Sequence, residues 1–240
     1  MSNSTLADGD NSFSIFFNPA SLAEINHREI GIYYSPSPFG MKELANAYVV
    51  YHEPFNFLSA TIGMKTYGFK LYKENEITVG LAKNFDDKYF AGISISITNI
   101  SIKNYGETNL LSTSVGNNIE ITSDIFFGAC VRNVYLASYS KYLKKPLQIE
   151  TGFAYKSDEF VITSSMLKEE YLNPSYAFGA EIKLVRYLDL RVGFRNYPSS
   201  FSFGAGINYS FFEIDYSAFD NPNLGFTHQL GLLIHFNKDL

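Results

Sequence analysis

The sequence has no tryptophan and a single cysteine, Cys130. One cysteine excludes an internal disulfide. No histidine or cationic partner can be assigned to it, so Cys130 reads as a small core or wall residue rather than a nucleophile. Charge is scarce: 18% of residues are charged, against about 25% in a soluble domain. Positive charge is the scarcer sign, with 19 Lys and Arg against 24 Asp and Glu and a net charge of −5. A nucleic-acid partner needs a basic surface and is excluded on that ground. Long apolar runs are missing as well. The longest is Ala47 to Tyr51, whereas a spanning helix needs about 20 such residues. Met1 to Asn11 is polar and lacks the apolar stretch of a signal peptide. That fits a mature or trimmed chain, or one that is not secreted.

What is present is apolar and aromatic. Hydrophobic residues make up 46% of the 240, with 18 Tyr and 22 Phe. The dominant pattern has period two. Tyr89, Ala91, Ile93, Ile95 and Ile97 alternate with Phe90, Gly92, Ser94, Ser96 and Thr98. Leu188, Leu190, Val192 and Phe194 alternate with Asp189, Arg191, Gly193 and Arg195. Period two places each set on one face of a strand.

Reading every such run predicts about fourteen strands: 27–35, 43–53, 55–67, 75–84, 87–102, 118–131, 133–141, 146–156, 159–168, 175–185, 187–197, 200–209, 211–219 and 226–236. Ser164 to Tyr171 also fits a helical turn. Breakers at Glu53-Pro54, Asn84 to Asp87, Lys156 to Asp158 and Tyr197 to Ser199 mark tight turns. Asn104 to Asn118, rich in Gly, Asn, Ser and Thr, reads as the longest surface loop. Many of the strands reach the roughly 9–11 residues that crossing a bilayer requires, beyond the 5–6 usual in globular sheets. An even strand count suits a bacterial barrel.

The composition of the polar faces argues for lipid outside. They carry Gly, Ser, Thr, Ala and isolated charges, whereas a soluble surface is normally covered by Lys and Glu. A membrane barrel puts apolar groups toward lipid and polar groups toward its lumen. The charges Glu181, Lys183, Asp189, Arg191, Arg195, Glu213 and Asp215 are therefore expected to pair across neighbouring strands as a lumenal network, which lowers their desolvation cost. Rings at strand ends, among them Tyr33, Tyr34, Tyr48, Tyr51, Tyr89, Phe90, Tyr209 and Phe211, are expected to form interfacial girdles. The alternative is a soluble ligand-binding β-barrel or sandwich.

No constellation for chemistry stands out. His228 and His235 are an odd number of residues apart and face opposite sides of one strand, so they cannot share a metal. His27 and His52 are distant in sequence. No Gly-rich phosphate loop and no nucleophile elbow occur. No catalytic residue, metal or cofactor is expected, and the chain is not expected to be an enzyme. At the N-terminal end, Asn18 is a good helix N-cap and Pro19 suits the first helical position, so Pro19 to Glu24 should form a short turn before the first strand.

The stretch from Leu6-Ala7-Asp8 to Asn18-Pro19-Ala20-Ser21-Leu22 resembles the start of mature FadL-like outer-membrane proteins, with Ser21 where Gly is usual. Gly204 to Ile207, Glu213 to Ser217 and Leu224 to Leu232, closing on Phe236, resemble the last three strands of the PorV/PorQ branch of type IX secretion. The resemblance covers both ends and reaches the middle by pattern; the chain is shorter than typical members. It implies an all-β, single antiparallel transmembrane barrel of fourteen strands in a bacterial outer membrane. It implies a plug motif at Asn18, Pro19 and Ala20 that enters the lumen, although the residues themselves fit a mere N-terminal cap equally well. The expected organisation is a plug or cap segment, 1–26, and a barrel, 27–240. The expected function is porin-like transport of hydrophobic molecules, or docking and shuttling of secreted protein cargo, with membrane lipid as the constant partner.

Overall fold

The computed structural model describes residues 4–9, 11–138 and 144–236. Fourteen strands follow one another: β1 (Arg28–Ser35), β2 (Asn46–Pro54), β3 (Ser59–Gly68), β4 (Tyr72–Phe85), β5 (Tyr89–Ile102), β6 (Gly106–Thr122), β7 (Ile125–Ser138), β8 (Gln148–Lys156), β9 (Phe160–Glu169), β10 (Ser175–Val185), β11 (Leu188–Asn196), β12 (Ser199–Tyr209), β13 (Phe212–Asn221) and β14 (Gly225–Phe236). Each pairs antiparallel with its sequence neighbours, and β14 returns to β1, so the sheet is a closed barrel. The seam runs from Arg28 opposite Phe236 to Tyr34 opposite Leu230. Closure leaves no unpaired strand edge, which is the condition for crossing hydrocarbon.

The alternation resolves into an apolar outside and a polar inside. Ile93, Ile95 and Ile97 are 46%, 48% and 56% exposed, while Ser94 and Thr98 between and beside them are 2% and 1% exposed. The same holds on β12, where Phe203 points out and Ser202 is buried. A soluble barrel would pack those isoleucines inward. This surface is the one that lipid requires.

Two strand assignments change. The stretch Asn104 to Asn118 is not a loop: most of it lies in β6, which pairs with β5 along its whole length from Ile102 opposite Gly106 to Tyr89 opposite Ile119. The predicted strand 118–131 joins the end of β6, 118–122, to the first half of β7, and 133–141 begins as the second half of β7; that strand is interrupted by a bulge where Asn133 adopts φ 59° and the register with β6 shifts. Residues 139–141 of that prediction lie outside the described residues. One strand missed and one strand divided leave the count at fourteen. Ser164 belongs to β9, an extended strand and not a helical turn. The girdle assignment also changes in part. Tyr34, Tyr51, Tyr89, Tyr209 and Phe211 are exposed, but Phe90 is buried, and Tyr33 and Tyr48 stack on each other inside the barrel, with ring centroids 4.6 Å apart.

Candidate functional site: the plugged lumen

Residues ahead of β1 enter the barrel. Two single 3-10 turns, Ser12–Phe16 and Pro19–Glu24, form there. Each begins on an asparagine whose side chain accepts a backbone N–H: Asn11 from Phe13, and Asn18 from Ala20 at 3.2 Å. Pro19 follows Asn18 at the first position of its turn, where its fixed φ is favourable and no N–H is needed. Ile15, Phe16, Leu22 and Ile25 of this segment pack against Val50 and Ala82 of the wall. The segment is thus a plug with its own apolar contact inside an otherwise polar lumen.

Asn18 does more than cap. It is 1% exposed, and its Nδ2 donates to Asn118 Oδ1 at 2.6 Å and to the Leu6 carbonyl at 3.1 Å. Asn118 on β6 donates in turn to Ser21 Oγ at 2.9 Å and Glu24 Oε1 at 2.6 Å. Arg132 on β7 donates to the Phe17 carbonyl at 2.8 Å and pairs with Glu150 at 2.7 Å. Lys156 reaches Asp8 and Glu24 at 3.2 and 3.5 Å. Burial pushes the Glu24 carboxyl up from its ordinary range, against the pull of Lys156 and Asn118. A raised pKa favours the docked plug below the ordinary carboxylate range, and that contribution fades as pH rises.

Glycines on the inner wall make room for the plug. A Cβ on Gly92 would stand 2.4 Å from the Pro19 carbonyl, and one on Gly116 would stand 1.9 Å from Asn18 Oδ1. One on Gly63 would meet the Phe16 ring at 2.5 Å. At Gly92 plug backbone approaches the wall, and at Gly116 and Gly63 the Asn18 and Phe16 side chains do, which explains why these positions lack side chains.

The charged residues expected in the lumen divide into separate groups. Arg191 is the hub of one: it bonds Glu181 at 2.5 Å, Glu213 at 3.2 Å, and Asp215. Asp189 instead accepts from Asn208. Lys183 is exposed at the end of β10, and no bond ties it to the Arg191 group. Arg195 lines a different cavity of about 370 Å³, together with Lys65, Glu76, Arg132, Glu150 and Glu169. That second group, centred on Glu76 between Lys65 and Lys145, was not singled out from the sequence. Lys65 faces Glu76 across the β3–β4 hairpin, while Arg132, Glu150, Glu169 and Arg195 come from β7, β8, β9 and β11, and the closed barrel brings the two sets to one cavity. Removing the hub should expose the repulsion it masks. Arg191→Met is expected to destabilise the barrel by about 3 kcal/mol, because it removes the cation that Glu181, Glu213 and Asp215 share. Adding Glu213→Gln and Asp215→Asn should restore part of the loss, measurable as a double-mutant coupling in denaturant unfolding.

A further cavity of about 380 Å³ lies between plug and wall, lined by Phe13, Phe17, Tyr33, Tyr48 and the polar Asp8, Asn18, Arg191 and Gln229 among others. It is the aromatic space of the lumen.

No protein-family model matches the chain, and no curated protein does. Solved structures do. The CymD monoaromatic hydrocarbon channel is similar with a TM-score of 0.74 at 11% identity, over 97% of this chain and 95% of that one. The Ralstonia pickettii toluene transporter TbuX is similar with a TM-score of 0.66 at 11% identity, over 94% and 92%. A Pseudomonas aeruginosa FadL homologue gives 0.62 at 11% identity, over 96% and 94%. At such identity the likeness is one of fold: the chain shares the barrel along nearly its whole length, without sharing most of the residues.

Proposed function

We propose that this barrel sits in a bacterial outer membrane and moves small hydrophobic molecules past its plug. The fold it shares with a hydrocarbon channel and a toluene transporter supports the class of cargo. The observation that carries the reading is the aromatic cavity between plug and wall, where the Tyr33–Tyr48 stack adjoins Phe13 and Phe17. At about 380 Å³ it lies at the small end of the roughly 300–1,000 Å³ usual for ligand sites. A single-ring aromatic fits that space better than a long acyl chain. The polar residues in the same wall, Arg191 and Gln229 among them, favour a ring bearing one polar substituent. The orientation follows from the loops. Both barrel termini and the short turns 123–124, 186–187 and 210–211 share one end, which suits the periplasmic side, and the longer connection 36–45 is at the other.

Docking of secreted cargo, the function of the PorV/PorQ branch, has less support, since the described connections offer little surface beyond the rim. The test is uptake of radiolabelled toluene and p-cresol by cells carrying this barrel in place of their own hydrocarbon channels. Uptake above that of empty-vector cells is expected, and Phe13→Ala with Tyr48→Ala should reduce it. Uptake equal to the empty-vector level would end this reading.

A further inference from the structure

The seam where the barrel closes brings together groups that the sequence separates widely. Glu29 on β1 stands directly opposite His235 on β14. His27 lies two residues before Glu29, on the same inner side. The three side chains are buried, at 9%, 0% and 6% exposure for His27, Glu29 and His235. Three atoms converge: His27 Nε2 and His235 Nδ1 are 2.8 Å apart, and Glu29 Oε2 is 3.4 Å from the first and 3.2 Å from the second.

Protons serve such a triangle poorly. If His27 donates to His235, the acceptor nitrogen of His235 faces a carboxylate oxygen, lone pair to lone pair. If both rings donate to Glu29, two N–H groups face each other at 2.8 Å; if His235 alone donates, one proton is shared between His27 Nε2 and Glu29 Oε2, whose lone pairs still face each other at 3.4 Å. A cation at the centre satisfies all three atoms together. Zn–N and Zn–O bonds of about 2.0–2.1 Å place tetrahedral ligand atoms about 3.3 Å apart, close to the spacing found. The outer contacts are those of oriented ligands. Glu29 Oε1 accepts the Ser12 N–H at 2.7 Å, leaving Oε2 to the centre. His27 Nδ1 lies 3.2 Å from Asn26 Oδ1, which makes that nitrogen the donor and leaves Nε2 as a lone pair. Ser12 Oγ is buried, with no partner in hydrogen-bond geometry among the described residues. His52, opposite Glu29 on the other side, is already engaged by Thr61 and the Ile25 carbonyl.

We propose that His27, Glu29 and His235 form a site for one divalent transition metal, Zn²⁺ by its two-nitrogen, one-oxygen donor set. The fourth position is left to water or the Ser12 hydroxyl. The metal ties the first strand, the last strand and the link between plug and wall at one point, so it staples the barrel at its β1–β14 seam.

The full chain, without a purification tag, is refolded in detergent, stripped with a chelator and titrated with Co²⁺. One Co²⁺ per chain is expected, with the strong visible absorption of a four- or five-coordinate site, displaced by Zn²⁺. His228→Ala should leave it unchanged, since His228 is on the outer face bonded to Tyr216. His27→Ala with His235→Ala should weaken binding at least about tenfold. Glu29→Gln keeps the side-chain volume and should also lose the absorption, so the test survives if the alanine variant does not fold. Absence of binding to the wild-type chain, the pale spectrum of an octahedral ion, or binding retained in the histidine variant would each overturn the proposal.

Discussion

Ile95→Arg should destabilise the barrel in lipid vesicles by about 2–4 kcal/mol, the cost of an arginine facing lipid near the bilayer midplane. Ile95 is halfway along β5, opposite Val79 on β4 and Thr113 on β6, and its side chain is exposed on the outer face. The size of the effect separates two environments for the same barrel. On a surface facing water, replacing an exposed isoleucine changes stability by less than about 0.5 kcal/mol and improves solubility. In lipid the guanidinium must be desolvated or must drag water and headgroups inward. Denaturant unfolding in vesicles gives the number, with Ser96→Ala on the lumenal side of the same strand as the reference. A loss below 0.5 kcal/mol, in a protein that stays monodisperse without detergent, would return the molecule to the soluble class.

The fold was legible because alternation is a property of neighbours. Ile93, Ile95 and Ile97 announce a strand with a wet face and an apolar face wherever the strand ends up. The direction of those faces was legible from the chemistry of the polar set, since Gly, Ser and Thr line a lumen and rarely cover a protein in water. The same chemistry concealed β6. Ser112, Ser114, Gly116 and Asn118 line the lumen, and in sequence they look like a surface loop. Lumen and loop favour the same residues for the same reason, contact with water or with other polar groups. Asn133 had the opposite effect: a left-handed residue in mid-strand mimics a turn.

The site was less legible than the wall. Asn18-Pro19 spoke for itself as a cap, because both residues act locally. That Asn18 also meets Asn118 is a fact of closure, across 100 residues. The meeting of His27 with His235 spans 208. The sequence did place His228 and His235 on opposite faces of one strand. It could not show that the inward one had a partner on the first strand, because that pairing depends on how many strands intervene.

Gly92→Val should expel the plug and leave the barrel standing. The new Cβ would lie 2.4 Å from both the carbon and the oxygen of the Pro19 carbonyl and 2.5 Å from the Ala20 nitrogen. All three are backbone atoms, so no rotamer change relieves the clash; the turn Pro19–Glu24 must move. It moves as a unit, since Asn18 caps it and the Asn18–Asn118 bond sits at its start. Overpacking of this kind costs about 1–3 kcal/mol, which shifts the balance between docked and released plug by roughly 5- to 140-fold. The wall bears little of this, because Gly92 keeps its ladder with Ala82 and Gly116 on either side and valine suits a strand. The expected result is a barrel that still shows heat-modifiable migration on a gel but conducts ions in planar bilayers far more than the wild type, since the lumen behind the plug is polar and charged. Gly204→Ala, whose new methyl would meet wall atoms at 3.3 Å or more and no plug atom, should behave as wild type. Equal conductance in Gly92→Val and wild type, with the barrel intact, would mean that the segment from Ser12 to Glu24 does not gate the lumen.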